Sequence, residues 1–352
     1  MILAGGAGTR FWPASRRTRP KQLLSLVGGE PLLGATVRRI APIATGERVL
    51  VATGSHLVEP TLAAVPALSR AQLLVEPMPR NTAPCIGWAA ATIARKDPDR
   101  VVVVLPSDQH IADEAAFVAT LELAIASARA GDITTIGIKP THPETGYGYI
   151  EAVRTSSPVW SVARFVEKPS RARAEEFLAA GTFLWNAGMF VFRARDMLAA
   201  IEAHLPALAE SLDRLDALAA QGREEEELAG LFAAMPAVSI DTGVMEKMQN
   251  LRVVPGDFGW SDVGSWLTAG ELAPKDARGN SAPDAAVLVD ANDNFVVDLH
   301  GAGRERVIAL VGVSGLVVVD TPDALLIVRR DECQRVREVV DALVARGQRE
   351  LA

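Results

Sequence analysis

The sequence predicts an α/β fold, a mixed, mainly parallel sheet flanked by helices, with a small β-rich appendage at the C-terminal end. Three observations carry this. Short apolar segments alternate with helix-like ones up to about residue 140, a glycine-rich turn directly follows the first of them, and Val-rich strands recur with turn residues after Asn280. Strands that alternate with helices pair in parallel, with the helices on both faces of the sheet.

Taken in order, Ile2 to Ala4, Val49 to Ala52, Leu73 to Val75, Val101 to Leu105 and Thr134 to Ile138 read as buried strands. Arg38 to Ile43, Leu57 to Val65, Ala83 to Arg95 and Ala115 to Ala130 read as the helices between them. The first strand, with four residues before Gly5, is shorter than the usual 5 to 6, so further strand residues are expected upstream. Ligands of such sheets bind beyond the carboxyl ends of the strands. That places Gly5 to Arg10, Glu76 to Pro84 and Pro106 to Ile111 on one rim.

Tyr147 to Val166 reads as strand-like pieces and Arg171 to Met235, rich in Ala, as helical, together a second, substrate-facing lobe. Glu224 to Glu227 reads as a solvated helix face. Ala286 to Val289, Asn294 to Asp298, Val307 to Val311, Leu316 to Val319 and Leu325 to Val328 form a small all-β appendage or partial β-solenoid. In the final helix Cys333, Val336, Val339, Val340, Leu343 and Val344 recur at the spacing of one buried stripe. The expected division is 1–275, in two parts that meet at about residue 140, followed by 276–352.

At 352 residues and 49% hydrophobic, the chain buries a sizeable core. No apolar run reaches the roughly 18 residues of a membrane helix, and no basic segment precedes an apolar one as in a signal peptide. Cys85 and Cys333 are isolated and lack metal-like spacing, so a cytoplasmic protein without a disulfide framework or structural zinc is expected. A net charge of -7 argues against nucleic acid as a partner.

Against that acidic background, the segment from Arg10 to Lys21 carries five cations (Arg10, Arg16, Arg17, Arg19 and Lys21) and no acid. It follows Leu3-Ala4-Gly5-Gly6-Ala7-Gly8-Thr9, in which the glycines let the backbone turn tightly and aim N–H groups at phosphate oxygens. The spacing is neither that of a Walker A loop nor that of a dinucleotide fingerprint. It reads as a nucleoside-triphosphate cradle.

Leu105-Pro106-Ser107-Asp108 sets a carboxylate directly after a strand on the ligand rim. Asp262 lies between Gly259 and Gly264 and between Trp260 and Trp266, a rigid setting for a ligand. Nucleotide-bound Mg²⁺ takes one or two carboxylates and completes its shell with phosphate oxygens and water, a demand that Asp108 and Asp262 meet. Lys168 suits a substrate phosphate as a point charge and Glu167 suits hydroxyls. Gly146 to Ile150 and Trp185 to Phe190 add close-approach glycines, aromatic rims and an amide, the elements that recognise a sugar ring. Glu76 to Pro84 is a proline-braced loop, able to read a base edge, that opens a helix with Thr82 as its N-cap.

Taken together, these motifs resemble the sugar-1-phosphate nucleotidylyltransferases, and within them the bacterial mannose-1-phosphate guanylyltransferases, over nearly the whole chain. Ile240-Asp241 with Met245-Glu246-Lys247 belongs to the same pattern. The resemblance implies a Rossmann-like transferase fold with a partial β-helix, and transfer of GMP from GTP to mannose 1-phosphate with Mg²⁺ as cofactor. It implies that Gly5, Gly6, Gly8, Arg10 and Lys21 bind the triphosphate, that the loop with Glu76, Arg80, Asn81 and Thr82 binds the guanine, and that Leu3, Ala4, Thr9 and Asp108 also belong to the nucleotide site. Gly148, Tyr149, Glu167, Lys168, Asn186, Gly188 and Asp241 would take the sugar phosphate. Asp108 and Asp262 would hold the metal, with Arg10, Lys21 and Lys168 neutralising charge.

A homodimer through the C-terminal region is also expected. Two departures stand out: Gln109 replaces the usual His after the motif aspartate, and Thr242 replaces an aromatic after Asp241. The rival readings are a sister transferase using another hexose or nucleotide, and a non-catalytic regulatory subunit that senses nucleotide-sugar.

Overall fold

The protein is described from a computed structural model covering residues 1–6, 8–300 and 306–351; Ala7 of the glycine-rich loop lies outside the described residues. The chain opens with β1 (Ile2–Leu3), α1 (Leu32–Arg39), β2 (Val51–Gly54), α2 (Val58–Ala64), β3 (Leu73–Glu76), α3 (Thr82–Ala94) and β4 (Val101–Pro106). It continues with β5 (His110–Ile111), α4 (Glu114–Arg129), β6 (Thr134–Ile138), β7 (Tyr149–Val153), β8 (Trp160–Val166), α5 (Arg171–Ala180) and β9 (Phe183–Arg193). Helices α6 (Ala194–His204), α7 (Pro206–Ala219), α8 (Glu224–Ala234) and α9 (Ile240–Gly243) precede β10 (Arg252–Gly256), β11 (Trp260–Ser261) and α10 (Trp266–Leu272).

Nine strands form one mixed sheet in the order β3-β2-β1-β4-β9-β6-β10-β8-β7. The pairs from β3 to β4 are parallel, whereas β9 runs antiparallel to both β4 and β6. The expectation of helix throughout Arg171 to Met235 is therefore corrected. Strand β9 lies in the middle of the sheet and is apolar and buried on both faces, so its sequence shows no two-residue alternation. The first helix is also earlier than expected, over Leu32–Arg39 rather than Arg38 to Ile43, because Pro31 starts it and Leu32, Leu33, Ala35 and Thr36 form its buried face.

Helices α3, α6, α7 and α8 pack together, with Ile201, Leu208, Leu212, Leu215 and Phe232 in one core. Glu224 is more than a solvated residue, since it accepts from Trp88 Nε1 at 2.9 Å and from Arg95 at 3.0 Å, tying α8 to α3.

The C-terminal region contains β12 (Val287–Val289), β13 (Phe295–Asp298), β14 (Ala309–Val311), β15 (Leu316–Asp320), β16 (Leu325–Arg329) and α11 (Val336–Ala345). Strand β12 pairs with β14 and β13 with β15, both in parallel, which stacks successive coils of a β-helix. The coils are joined inside by buried amides. Asn280 Oδ1 accepts from Asn294 N, and Asn294 Oδ1 accepts from Leu316 N, so each turn caps the next. Cys333, Val336 and Val340 are buried as the stripe predicts, but Val344 is exposed because it falls on the outer side of α11.

Candidate active site

Three strand ends build the rim. Parallel pairing sets Leu3 beside Pro106 and Ala52, and Gly54 beside Glu76, so the chain leaves β1, β3 and β4 on the same side of the sheet. Gly8 adopts φ +62, and a Cβ there would lie 2.5 Å from Lys21 Cβ, so the loop rests directly on the lysine that follows it. Gln22 Nε2 donates to Ala4 O at 2.8 Å, which fixes that lysine's segment against β1.

Lys21 is buried, and its Nζ donates to Asp108 Oδ2 at 2.9 Å and to the backbone oxygen of Asp262 at 2.5 Å. A two-residue ladder brings the acids together. Strand β11 pairs antiparallel with β5, with Ser261 opposite His110, so Asp262 leaves the ladder at the end where Asp108 enters it. The Tyr147 hydroxyl donates to Asp262 Oδ1, and Arg10 donates to Gly264 O at 3.2 Å. Val263 is fully buried at φ +47, a left-handed conformation that is strained for a β-branched residue and is characteristic of functional loops.

The second half of the site begins one residue after Tyr147. A Cβ on Gly148 would lie 2.7 Å from Glu167 Oε2 and 3.3 Å from Asn186 Cβ, so any side chain there would displace the Glu167 carboxylate. Asn186 stands at a bulge in β9, where the pairing with β6 shifts register between Thr135 and Gly137. Its amide donates to Asp241 Oδ1 at 2.8 Å and accepts from Thr135 Oγ1 at 3.1 Å and Gly188 N at 3.1 Å. Glu167 Oε2 is buried without a hydrogen-bond partner, an acceptor ready for a hydroxyl. Lys168, at φ +44, reaches Glu167 Oε1 at 2.6 Å while most of its side chain faces solvent.

Two carboxyls of the site are displaced from their ordinary range. Burial pushes Glu76 up to about 7, against the opposing hydrogen bond of the Cys85 thiol. Burial, reinforced by the charge of Glu167, pushes Asp241 up to about 6.

Several predicted residues have other work. Tyr149 is fully buried and its hydroxyl donates to Glu144 O at 2.9 Å, so it belongs to the core and braces the preceding loop rather than meeting a sugar phosphate. Asn81, not Thr82, is the N-cap of α3, accepting from Thr82 N at 2.9 Å, while the Thr82 hydroxyl accepts from Ile240 N at 2.9 Å. The Arg80 guanidinium donates to Ala233 O at the end of α8. Ala4 is buried and its carbonyl takes Gln22 Nε2. Gly188 directs the Asn186 amide through its N–H. Gln109 is buried and donates to Ala187 O at 2.7 Å, and Thr242 bonds Ser239 Oγ at the N-cap of α9. The sequence places Tyr147 among the aromatic rims of the sugar site but gives no sign of its bond to Asp262, and it gives Thr135 no role.

A family profile described as "Nucleotidyl transferase" matches residues 1–278. The chain belongs to the nucleotidyl transferase family. A second profile, "MannoseP isomerase/GMP-like beta-helix domain", matches residues 284–343 of this transferase. The "Xanthan biosynthesis protein XanB" of Xanthomonas campestris pv. campestris is 41% identical over 356 residues, covering 99% of this chain and 74% of that protein. A "Mannose-1-phosphate guanylyltransferase" of Klebsiella pneumoniae is 37% identical over 350 residues, covering 97% of this chain and 73% of that protein. A solved structure from Thermus thermophilus, titled "mannose-1-phosphate geranyltransferase", superposes with a TM-score of 0.86 at 35% identity, covering 97% of this chain and 98% of that one. The nucleotidyl transferase fold, a mixed sheet flanked by helices with a β-helix appended, is thus common to this chain and its relatives.

Proposed function

We propose that this transferase moves GMP from GTP to α-D-mannose 1-phosphate, releasing pyrophosphate and GDP-mannose. The observation that carries the proposal is the junction at Tyr147 and Gly148. One residue touches the acid next to the phosphate cations, and the next closes on the hydroxyl acceptors Glu167 and Asn186. A triphosphate and a sugar phosphate held on these two halves meet between them. The relatives at 37% identity over nearly the full chain support the same reading.

A phosphate oxygen of mannose 1-phosphate attacks the α-phosphorus of GTP; that P–O bond forms as the bond to the β-phosphate oxygen breaks, and the electron pair leaves with pyrophosphate. No protein nucleophile is needed, because the acceptor is already an anion. The task is to hold two mutually repelling anions in line and to neutralise charge on the leaving group. In this reading Arg10 and Lys21 hold the triphosphate and Lys168 the sugar phosphate. Glu167, Asn186 and Asp241 orient the mannose hydroxyls. Glu76, whose carboxylate lies 3.7 Å from a Cβ built on Gly5, accepts from guanine N1–H and its amine.

Asp108 and Asp262 fit Mg²⁺: Lys21 Nζ bonds the carboxylate of Asp108 and the backbone oxygen of Asp262, which sets two residues with hard oxygen donors beside one ammonium. When bound there, Mg²⁺ supplies positive charge to the phosphate oxygens.

In the same reading the transferase part spans 1–275 and the C-terminal part 276–352. The protein acts in the cytoplasm; no helix among the described residues is long and apolar enough to cross a membrane. It pairs with a second copy through the C-terminal region. There Leu325 and Ile327 of β16 are exposed, beside a groove lined by Val339 and Leu343 and by charges of both signs, Glu332, Arg335, Glu338 and Arg346. Such mixed charge can pair with itself across a two-fold axis. Sedimentation of Ile327→Lys tests this: the parent should be a dimer and the variant a monomer.

Pyrophosphate release from each nucleoside triphosphate against a panel of sugar 1-phosphates tests the main reading. GTP with mannose 1-phosphate should give the highest kcat/KM. Preference for another pair would move the chain to a sister activity, and no release from any pair would favour a sensing role.

A further inference from the structure

Both segments that carry the phosphate-site charges pack directly against the C-terminal β-helix. Phe11, Trp12 and Leu24 from the first, and Val263 and Trp266 from the second, share one buried cluster with Phe295, Val317, Val319, Val336 and Val340. One polar tie joins the two segments and two others cross to the C-terminal part. Trp266 Nε1 donates to Trp12 O at 2.9 Å, Trp12 Nε1 donates to Leu351 O at 2.6 Å, and the Arg16 guanidinium contacts both oxygens of Asp323 at 3.2 Å. The line reaches the chemistry. Phe11 packs edge-on against Trp266 with ring centroids 5.0 Å apart, and Lys21 Nζ lies 5.8 Å from the centroid of the Phe11 ring.

We propose that the β-helix is a wall of the nucleotide site and that Trp12, Trp266 and Asp323 are positioning residues for GTP. They set the height of residues 9–24 against Asp262, and so the place of Arg10 and Lys21. Neither Trp12 nor Asp323 touches the substrate. The alternative is that the contact is interdomain packing alone. The Arg16–Asp323 pair separates the two, because the carboxylate side is about half exposed and the more buried Arg16 keeps its bonds to Pro13 O and Ser15 O when Asp323 is removed, so the pair itself contributes little to stability. A packing role predicts almost no consequence of its loss.

The inference rests on GTP as the nucleotide, and the test keeps the two apart. Asp323→Ala, Asp323→Glu, Trp12→Phe and, as a control in the distant helical core, Leu212→Ala are compared with the parent. GTP affinity is read by calorimetry, the KM for mannose 1-phosphate by assay, and backbone amide exchange over residues 9–24 without ligand. Asp323→Ala and Trp12→Phe should bind GTP about three- to thirtyfold more weakly, with faster exchange over residues 9–24 and an unchanged sugar-phosphate KM. Asp323→Glu should restore both. Leu212→Ala should lower the melting temperature and leave GTP affinity alone. Parental GTP affinity and exchange in both first variants, or an equal loss in Leu212→Ala, would overturn the proposal. A parent that fails to bind GTP defeats the nucleotide reading, and the exchange data then still decide whether the β-helix holds the loop.

Discussion

The Tyr147 hydroxyl donates to Asp262 Oδ1, and its ring stands edge-on to Trp185 at 5.2 Å and to Trp260 at 5.3 Å. Three aromatic side chains thus fix the rotamer of one carboxylate. Tyr147→Phe keeps the packing and removes only the donor. The apparent affinity for Mn²⁺, read by electron paramagnetic resonance in the presence of GTP, should fall about 10- to 100-fold, as is typical when a partner of a metal ligand is lost. Parental affinity would leave Tyr147 as packing only.

Asp108→Asn and Asp262→Asn each keep shape and remove charge. Either should lower kcat roughly a hundredfold with the fold intact by circular dichroism. The double variant should be far less impaired than the product of the singles, because both acids serve one ion. Near-normal turnover of Asp262→Asn would make that carboxylate a structural element of its Trp-rich turn.

Lys168 and Arg10 lie on opposite halves of the site, so their losses should separate. Lys168→Ala should raise the KM for mannose 1-phosphate about 10- to 100-fold with GTP binding nearly unchanged. Arg10→Ala should weaken GTP instead. Calorimetry showing that Lys168→Ala abolishes GTP binding would exchange the two assignments.

Glu76 titrates near 7 in the folded chain against an ordinary value of 4.5. Between those values the native state holds a proton that the unfolded chain has lost, so stability falls as pH rises through that window. Asp241 acts in the same direction between 3.8 and about 6. Glu76→Gln should therefore be isostable with the parent near pH 4.5 and more stable at pH 8, by at most about 3 kcal/mol. The same variant should lose preference for GTP over ATP, and parental GTP affinity should rise as pH increases through 7. A pH-independent melting difference would show that Glu76 does not carry this proton.

Residue types and local spacing made the glycine-rich loop, Asp108 and Asp262 legible, because unusual composition at a strand end needs no knowledge of what lies opposite. Strand β9 was not legible, since a segment buried on both faces has no period to read. Tyr147 and Tyr149 show the limit more sharply. They differ by two positions, yet one faces an acid 115 residues away and the other is sealed in the core. Tyr149 is the first residue of β7 and is sealed by its pairing with β8 and β9, whereas Tyr147 stands before the strand begins. The loop from Glu76 to Pro84 lies on the rim as expected, but its helix cap is Asn81 rather than Thr82, whose hydroxyl is taken by Ile240 N from a distant helix.

The place of β9 between β4 and β6 also bears on how the molecule assembles. A nascent chain that has emerged only to residue 140 holds β4 and β6 with their inner edges bare, awaiting a strand still inside the ribosome. Such edges pair readily with other chains. The nucleotide rim is therefore no autonomous folding unit. It is complete only when β9 lies between β4 and β6 and β11 is paired with β5, both supplied by chain made after the nucleotide half.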